Sequence, residues 1–436
     1  MRLLNDAVEE AVSASREAFL AYSKLTLNKR REIITAVKEQ MILLVDKMAS
    51  MEMAETRMGN AQDKCTKLLL SIQKTPGVED LVTDVLTGDD GMTLYEYSAY
   101  GIVCAVQPGT NPCATLICNS IGMLAAGNSV IHIPHPRCVR ASDFAASRIN
   151  EIVYDVSGIN NLVITFPESS MLLAEGIMNH PDVALVVATG GGKMLTNALG
   201  SAKRVIGAGE ANPVVIVDET ADIKKAAKDI VDGAAFDHNI MCISEKSIVV
   251  VSEIADRFIE ELKQQGVYYV SDEAEMISLV KTVLTSNVTM NRAMEGKSAN
   301  KILEAAKIPC EREIRLIVVD TVKTHPFVTL EMLMPLVPLV RVRDFEKALE
   351  AALFIEQGLR HTAMIHSQSI DRVNKAAHIM QTSLFVKNGS SLAGIGVNGE
   401  GNTSFSIANI TGEGLTTARH FARRRRCTLT NGFSIR

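Results

Sequence analysis

Residues 101–136 read GIVCAVQPGTNPCATLICNSIGMLAAGNSVIHIPHP. A run of β-formers stops at Pro108, an apolar helix of small residues spans about Cys113 to Ala126 and closes on Gly127-Asn128, and SVIHI at 129–133 is a second strand. Strand, helix and strand in succession, each apolar on all sides, indicate a parallel sheet covered on both faces. The alternation continues with a helix from Val139 to Tyr154 and the short strands LVITF (162–166), ALVVAT (184–189), RVIGAG (204–209) and PVVIVD (213–218). A second series, from about Asn212 to Ala408, carries KSIVVV, IRLIVVD, LVPLVRV, TAMIHS and SLFVKN between helical patterns. Two such series predict two doubly wound α/β domains with a ligand cleft between them.

Upstream, Leu4, Val8, Ala11, Phe19 and Tyr22 recur at helical steps, with Ser15 filling the one gap, and a second helix fits Asn28 to about Met53. The stripes predict core packing, although the first could equally dock on another protein. MTLYEYSAYGIVCAVQP, from Met92, suggests a strand pair leading into the buried strand, and the terminal RRRRCTLTNGFSIR is expected to pair with it, within the chain or across a subunit boundary.

The chain has 436 residues, 47% hydrophobic and 22% charged, enough for two or three domains and unlike a disordered or fibrous chain. A net charge of −5 argues against a dedicated nucleic-acid binder. Eight cysteines without a C-x-x-C pair indicate free thiols in a reducing compartment, nine histidines show no metal-ligand spacing, and no uninterrupted apolar run is long enough for a membrane span. A cytoplasmic protein with no metal site is expected.

Two conspicuous motifs read best as structural. Gly394-Ile-Gly396-Val-Asn-Gly399 matches G-x-G-x-x-G but runs on into NTSFSIA, which alternates like a strand, so a flexible loop is expected rather than a dinucleotide turn. Arg423 to Arg426 is expected in the last turn of a helix starting near Gly414, complementing its dipole, with subunit contact or a cofactor phosphate as alternatives. Three other segments combine into chemistry. Cys242, in FDHNIMCISEK, lies where a helix gives way to a strand and can act as a nucleophile. Asn111, in PGTNP, starts a helix after a buried strand and can donate to an oxyanion. Thr189-Gly190-Gly191-Gly192 ends a strand and opens a helix, where backbone N–H groups can approach a pyrophosphate.

With these in view the sequence resembles the aldehyde dehydrogenase superfamily, and within it the CoA-acylating enzymes of bacterial microcompartments that degrade ethanolamine or propanediol. The likeness runs from about Met51 to Arg436 and is carried by ETRMGNAQDK, KTPGVEDL, TGDDGMTLYE, QPGTNPCAT with CNSIGMLAAGNSVI, NPVVIVDETADI, FDHNIMC, HPFVTLEMLMPLVPLVRV, LFVKNG and TGEGLTTARHFARRRRC. It implies a nicotinamide-binding domain (1–91 and 104–211), a catalytic domain (212–410) and a bridging β-flap (92–103 and 420–436) that builds a homodimer or homotetramer.

The resemblance puts the nucleophile on Cys242, the oxyanion donor on Asn111 and the nicotinamide-ribose carboxylate on Glu331. It puts the nucleotide turn on Thr189, Gly190 and Gly191, with Pro108, Thr110, His135 and Gly207 also on the cofactor side. Hydrolytic members carry a water-activating glutamate in E-L-G-G-K-S-P. Aligning the proline with Pro213 leaves Gly207 at that position, so an acyl-enzyme thioester should survive until CoA attacks it. The implied reaction turns acetaldehyde or propionaldehyde, CoA and NAD (NADP being open) into an acyl-CoA and the reduced cofactor, inside a microcompartment whose shell or core proteins are potential partners. Glu210 is out of pattern and could supply a base, giving a hydrolytic enzyme. His238, which replaces an asparagine, could lower the thiol pKa but reads better as a solvent-facing loop residue. A catalytically inactive core protein is the remaining alternative.

Overall fold

The computed structural model describes residues 2–434, with side chains from Asn5 on. The Leu4 side chain and residues 435–436 of the expected flap lie outside the described residues. The chain forms two compact units. The first comprises the chain up to Glu55, Cys65–Ala208 and the segment from Asn402 on, and the second comprises Thr56–Lys64 and Gly209–Gly401.

The first unit is built on five parallel strands in the order Val163–Ile164, Ser129–Ile133, Ile102–Val106, Val183–Thr189, Arg204–Ala208. All the side chains of Ile102–Val106 and of the helix Pro112–Ala125 are buried, which is why the strand reads as an unbroken apolar run and the helix as mostly apolar, with Thr115, Asn119 and Ser120 as its buried polar residues. The helix Arg2–Tyr22 lays Val8, Ala11 and Val12 into the core beside Ile102 and Ile131. Ser15 meets Ser129, Oγ to Oγ, at 2.8 Å, and the Tyr22 hydroxyl donates to the Leu124 carbonyl at 3.1 Å. Its apolar stripe is thus used within its own unit. The predicted 28–53 helix is two, Leu27–Ile42 and Val45–Thr56, because Leu43 and Leu44 bond back three residues instead of four and end the first.

Asp84–Gly88, Gly91–Ala99 and Ala422–Thr430 form a separate antiparallel sheet. The C-terminal strand pairs with Gly91–Ala99 inside the chain. The hairpin partner, however, is Asp84–Gly88, while Ile102–Val106 belongs to the parallel sheet. The arginine run is not a helix end: Gly414–Leu415 is a short strand and Arg423 to Arg426 lie in extended chain. An extended backbone sends successive guanidinium groups to opposite faces, where Arg423 stacks on Tyr100 at 4.7 Å, Arg424 stacks on Tyr95 at 4.0 Å and Arg424 also pairs with Asp84 at 2.9 Å.

The second unit holds seven parallel strands in the order Val267–Val270, Leu316–Thr321, Leu336–Val342, Ser247–Val251, Val214–Val217, Thr362–His366, Leu384–Lys387. The segment 394–399 opens no helix. Its first two residues end a 3-10 helix, Ser391–Ile395, and the rest turns so that a side chain at Gly399 would sit 2.7 Å from the Ala393 carbonyl oxygen, so glycine serves close packing there.

The main segment of the second unit begins at Gly209 rather than at 212, and the units depart from the expected domain limits at two further places. Residues 56–64 belong to the second unit, tied in by Gly59 N–H to the Gly296 carbonyl at 2.8 Å and Asn60 N–H to Asp237 Oδ1 at 2.9 Å. Residues 402–410 belong to the first, through Thr403 N–H to the Lys74 carbonyl at 3.1 Å and the Thr189–Ser406 hydroxyl pair at 2.7 Å.

Candidate active site

In the second unit Cys242 is half-buried in a turn between a short 3-10 helix, Phe236–Asn239, and the strand Ser247–Val251. Three consecutive residues of that helix are left-handed: Asp237 (φ 46°), His238 (φ 53°) and Asn239 (φ 61°). Non-glycine residues hold such backbone only where surrounding bonds over-determine it, and here each has an anchor. The buried Asp237 carboxylate accepts from Asn60 N–H and pairs with the buried Lys64 at 3.3 Å, while its N–H donates to Asp63 Oδ2 at 2.7 Å. His238 is half-buried rather than solvent-facing, and its Nδ1 bonds the Gly296 carbonyl at 2.9 Å. Asn239 Nδ2 donates to the Glu245 carbonyl at 3.0 Å.

Beneath this turn lie charged groups that the sequence reading missed. Lys246, only 1% exposed, donates from Nζ to the Asn239 carbonyl at 2.5 Å and to Asn239 Oδ1. Burial pushes its pKa below the usual lysine range, against the opposing charges of Glu331, Cys242 and Glu245. Glu331 accepts from the Ala211 backbone N–H, and burial raises its pKa while Lys246 opposes the rise and Glu210 and Glu295 add to it. The cluster therefore gathers Cys242, Lys246, Glu331, Glu210 and Glu295, and it brings the out-of-pattern Glu210 near Glu331. His361, buried beside Lys246, is pushed down to about 4 by burial and then by that cation. Glu245 is held by Ser391 through its N–H and hydroxyl, both at 2.8 Å, and burial lifts it to about 7.

In the first unit the strand Ile102–Val106 delivers Pro108, Thr110 and Asn111 to the N-terminus of the helix Pro112–Ala125. Asn111 occupies the N-cap position yet makes no side-chain capping bond. Glu52 Oε1 takes the Cys113 N–H instead, at 2.9 Å, and Asn111 Oδ1 accepts from Lys67 Nζ at 2.7 Å. The amide is thereby oriented, and its Nδ2 donates to Thr110 Oγ1 at 3.2 Å. His135 packs its ring against Gly109, where an added Cβ would lie 3.0 Å from Nδ1, and that nitrogen accepts from Arg137 N–H.

Thr189 ends its strand, and Gly190 (φ 130°) and Gly192 (φ 70°) turn the chain into the helix Lys193–Gly200. No atom lies within 4 Å of a Cβ at either glycine, so this left-handed turn is an open shelf at a helix N-terminus, which fits a dinucleotide pyrophosphate. Gly207 differs. It is buried, its N–H donates to Thr411 Oγ1 at 2.9 Å, and an added Cβ would meet Leu195 Cδ1 at 3.0 Å, Thr411 Cγ2 at 3.6 Å and Ile410 Cβ at 3.7 Å.

The profile of the aldehyde dehydrogenase family matches residues 2–403. Over 431 residues the chain is 47% identical to propanal dehydrogenase (CoA-propanoylating) of Citrobacter freundii, covering 99% of this chain and 93% of the relative. It is 39% identical to an acetaldehyde dehydrogenase (acetylating) of Salmonella typhimurium, covering 98% and 92%. The crystal structure of Rhodopseudomonas palustris propionaldehyde dehydrogenase with bound CoA and an acylated cysteine superposes with a TM-score of 0.96 at 42% identity, covering 98% of both chains. The family profile and these likenesses over nearly the whole length show that the chain belongs to the aldehyde dehydrogenase family.

Proposed function

We propose that this protein oxidises a short-chain aldehyde, acetaldehyde or propionaldehyde, to its acyl-CoA, with NAD or NADP as hydride acceptor. Cys242 attacks the carbonyl carbon as a thiolate, from the turn beneath which the buried Lys246 lies. The Asn111 amide and the Cys242 backbone N–H donate to the resulting oxyanion. Hydride transfer to the nicotinamide leaves a thioester on Cys242, and the CoA thiol attacks it through a second oxyanion. We assign Glu331 to the nicotinamide ribose, the shelf of Thr189, Gly190 and Gly191 to the pyrophosphate, and Pro108, Thr110 and His135 to the cofactor side of the amide.

The observation that carries this reading is the glycine at 207. The position where hydrolytic relatives hold a water-activating glutamate has no carboxylate, and a first added carbon there would press on Leu195 Cδ1 at 3.0 Å. Without that base the thioester outlasts the departure of reduced cofactor, and transfer to CoA becomes the productive exit. The flap is assigned to building a homodimer or homotetramer, and the working location to the interior of a bacterial microcompartment, in line with relatives named for such compartments. The test is reduction of NAD⁺ by the purified protein with propionaldehyde, with and without CoA, and the product identified by mass spectrometry. CoA-dependent turnover to propionyl-CoA is expected. Turnover to propionate without CoA would assign the base to Glu210 and make the enzyme hydrolytic.

A further inference from the structure

Asparagine is among the best N-cap residues because its side-chain oxygen takes an N–H of the first helical turn. Asn111 stands at the N-cap of Pro112–Ala125, and its oxygen makes no such bond. Two buried charged side chains stand in the way. Glu52, 1% exposed, already caps Cys113 N–H, and Lys67, also 1% exposed, holds Asn111 Oδ1 at 2.7 Å and reaches the Thr110 carbonyl at 3.4 Å. Asn111 itself is 4% exposed, and its Nδ2 sends a long 3.2 Å bond to Thr110 Oγ1.

We propose that Lys67 is the positioning residue of the oxyanion donor. Its ammonium occupies Oδ1, prevents the amide from rotating into the helix cap, and so keeps Nδ2–H directed at substrate. A cation on the oxygen of an amide also draws density from its nitrogen, which makes the N–H a stronger donor. Lys67 need not touch substrate for either effect. The role rests on the oxyanion assignment of Asn111. Because an oxyanion develops twice, in thiolate attack on the aldehyde and in CoA attack on the thioester, Lys67 serves both half-reactions.

The test is a double-variant cycle of Lys67→Met and Asn111→Ala in the full-length protein, read in kcat, KM, the single-turnover burst of reduced cofactor without CoA, and the rate of CoA-dependent release. Loss of one oxyanion donor costs about 10²–10³ in kcat, so Asn111→Ala should fall in that range. Lys67→Met should lose roughly 10–100-fold in kcat and in both half-reactions, with KM nearly unchanged, and should cost less than about threefold when Asn111 is already alanine. Lys67→Gln, which keeps a donor and loses the charge, should recover part of the loss, and it keeps the test open if the methionine variant fails to fold. A loss as large in the Asn111→Ala background as in the parent, or one confined to KM or to melting temperature, overturns the Lys67 role and leaves Asn111 standing. An unimpaired Asn111→Ala overturns the oxyanion reading and the Lys67 role with it.

Discussion

Replacing Gly207 by glutamate restores on paper the base of a hydrolytic aldehyde dehydrogenase, and the structure says that the swap alone fails. The first added carbon lies 3.0 Å from Leu195 Cδ1, so neighbours must give by a few tenths of an ångström. Overpacking of that kind costs about 1–3 kcal/mol, set against about 0.5–1 kcal/mol regained by removing a glycine from a strand. The carboxyl group then enters a buried site whose nearest hydroxyl, Thr411 Oγ1, already accepts from Gly207 N–H and donates to Glu413. Burying a polar group without a partner costs roughly 2–7 kcal/mol, so the total of about 2–9 kcal/mol is a large fraction of the whole stability of a domain, about 5–15 kcal/mol.

Gly207→Glu is therefore expected to be strongly destabilised and to release no acid. Leu195→Ala removes the obstructing methyl, and the glutamate stem refills its space, so the pair Gly207→Glu/Leu195→Ala should be more stable than Gly207→Glu alone, with a coupling of about 0.5–3 kcal/mol. The assay is thermal unfolding together with mass-spectrometric detection of propionate formed without CoA. If Gly207→Glu alone melted within a few degrees of the parent and hydrolysed aldehyde, the space at 207 would be open and the packing reasoning refuted.

Cys242→Ala should retain less than about a thousandth of the CoA-dependent activity with its melting temperature unchanged, since nucleophile knockouts cost on the order of 10⁴–10⁶; a larger residue of activity would move the nucleophile elsewhere. Lys64→Met strands the buried Asp237 carboxylate that anchors the left-handed turn, and breaking such a pair costs about 3–5 kcal/mol. Denaturant unfolding should show that loss, with most of it recovered in Lys64→Met/Asp237→Asn, and a loss under about 1 kcal/mol would mean the pair is unimportant to the turn. Glu245 holds its proton more tightly folded than unfolded, about 7 against 4.5. Its contribution to stability is therefore full below about pH 4.5 and is lost as pH rises through 7, on the order of 3 kcal/mol in all. Glu245→Gln keeps both bonds to Ser391 without ionising, so its advantage over the parent in chemical denaturation should grow from pH 5 to pH 8; an advantage equal at both would place the folded pKa near the ordinary value.

The sequence by itself determined the architecture and nominated the reactive pair. Strands buried on both faces are apolar over most of their length, so Ile102–Val106, Ser129–Ile133 despite its His132, and the first five residues of Leu336–Val342 announce themselves locally, and Cys242 and Asn111 stand out through the segments around them. Strands with weak burial did not. Asp84–Gly88 is mostly exposed and Val267–Val270 is short with two half-buried tyrosines, so neither carries a periodic signal. The arginine run looked like a helix end because its stacking partners, Tyr95 and Tyr100, lie more than 300 residues away in sequence. Only the tertiary structure could reveal the buried cations: a lysine reads as surface unless its partner is known. Lys64 finds Asp237, Lys67 finds Asn111 and Lys246 sits beneath the Cys242 turn through contacts set by the packing of distant segments and by left-handed backbone. The same holds for Gly207, where the sequence shows the missing carboxylate and the fold alone shows that Leu195 crowds the first carbon it would add, with Thr411 and Ile410 in ordinary contact behind it.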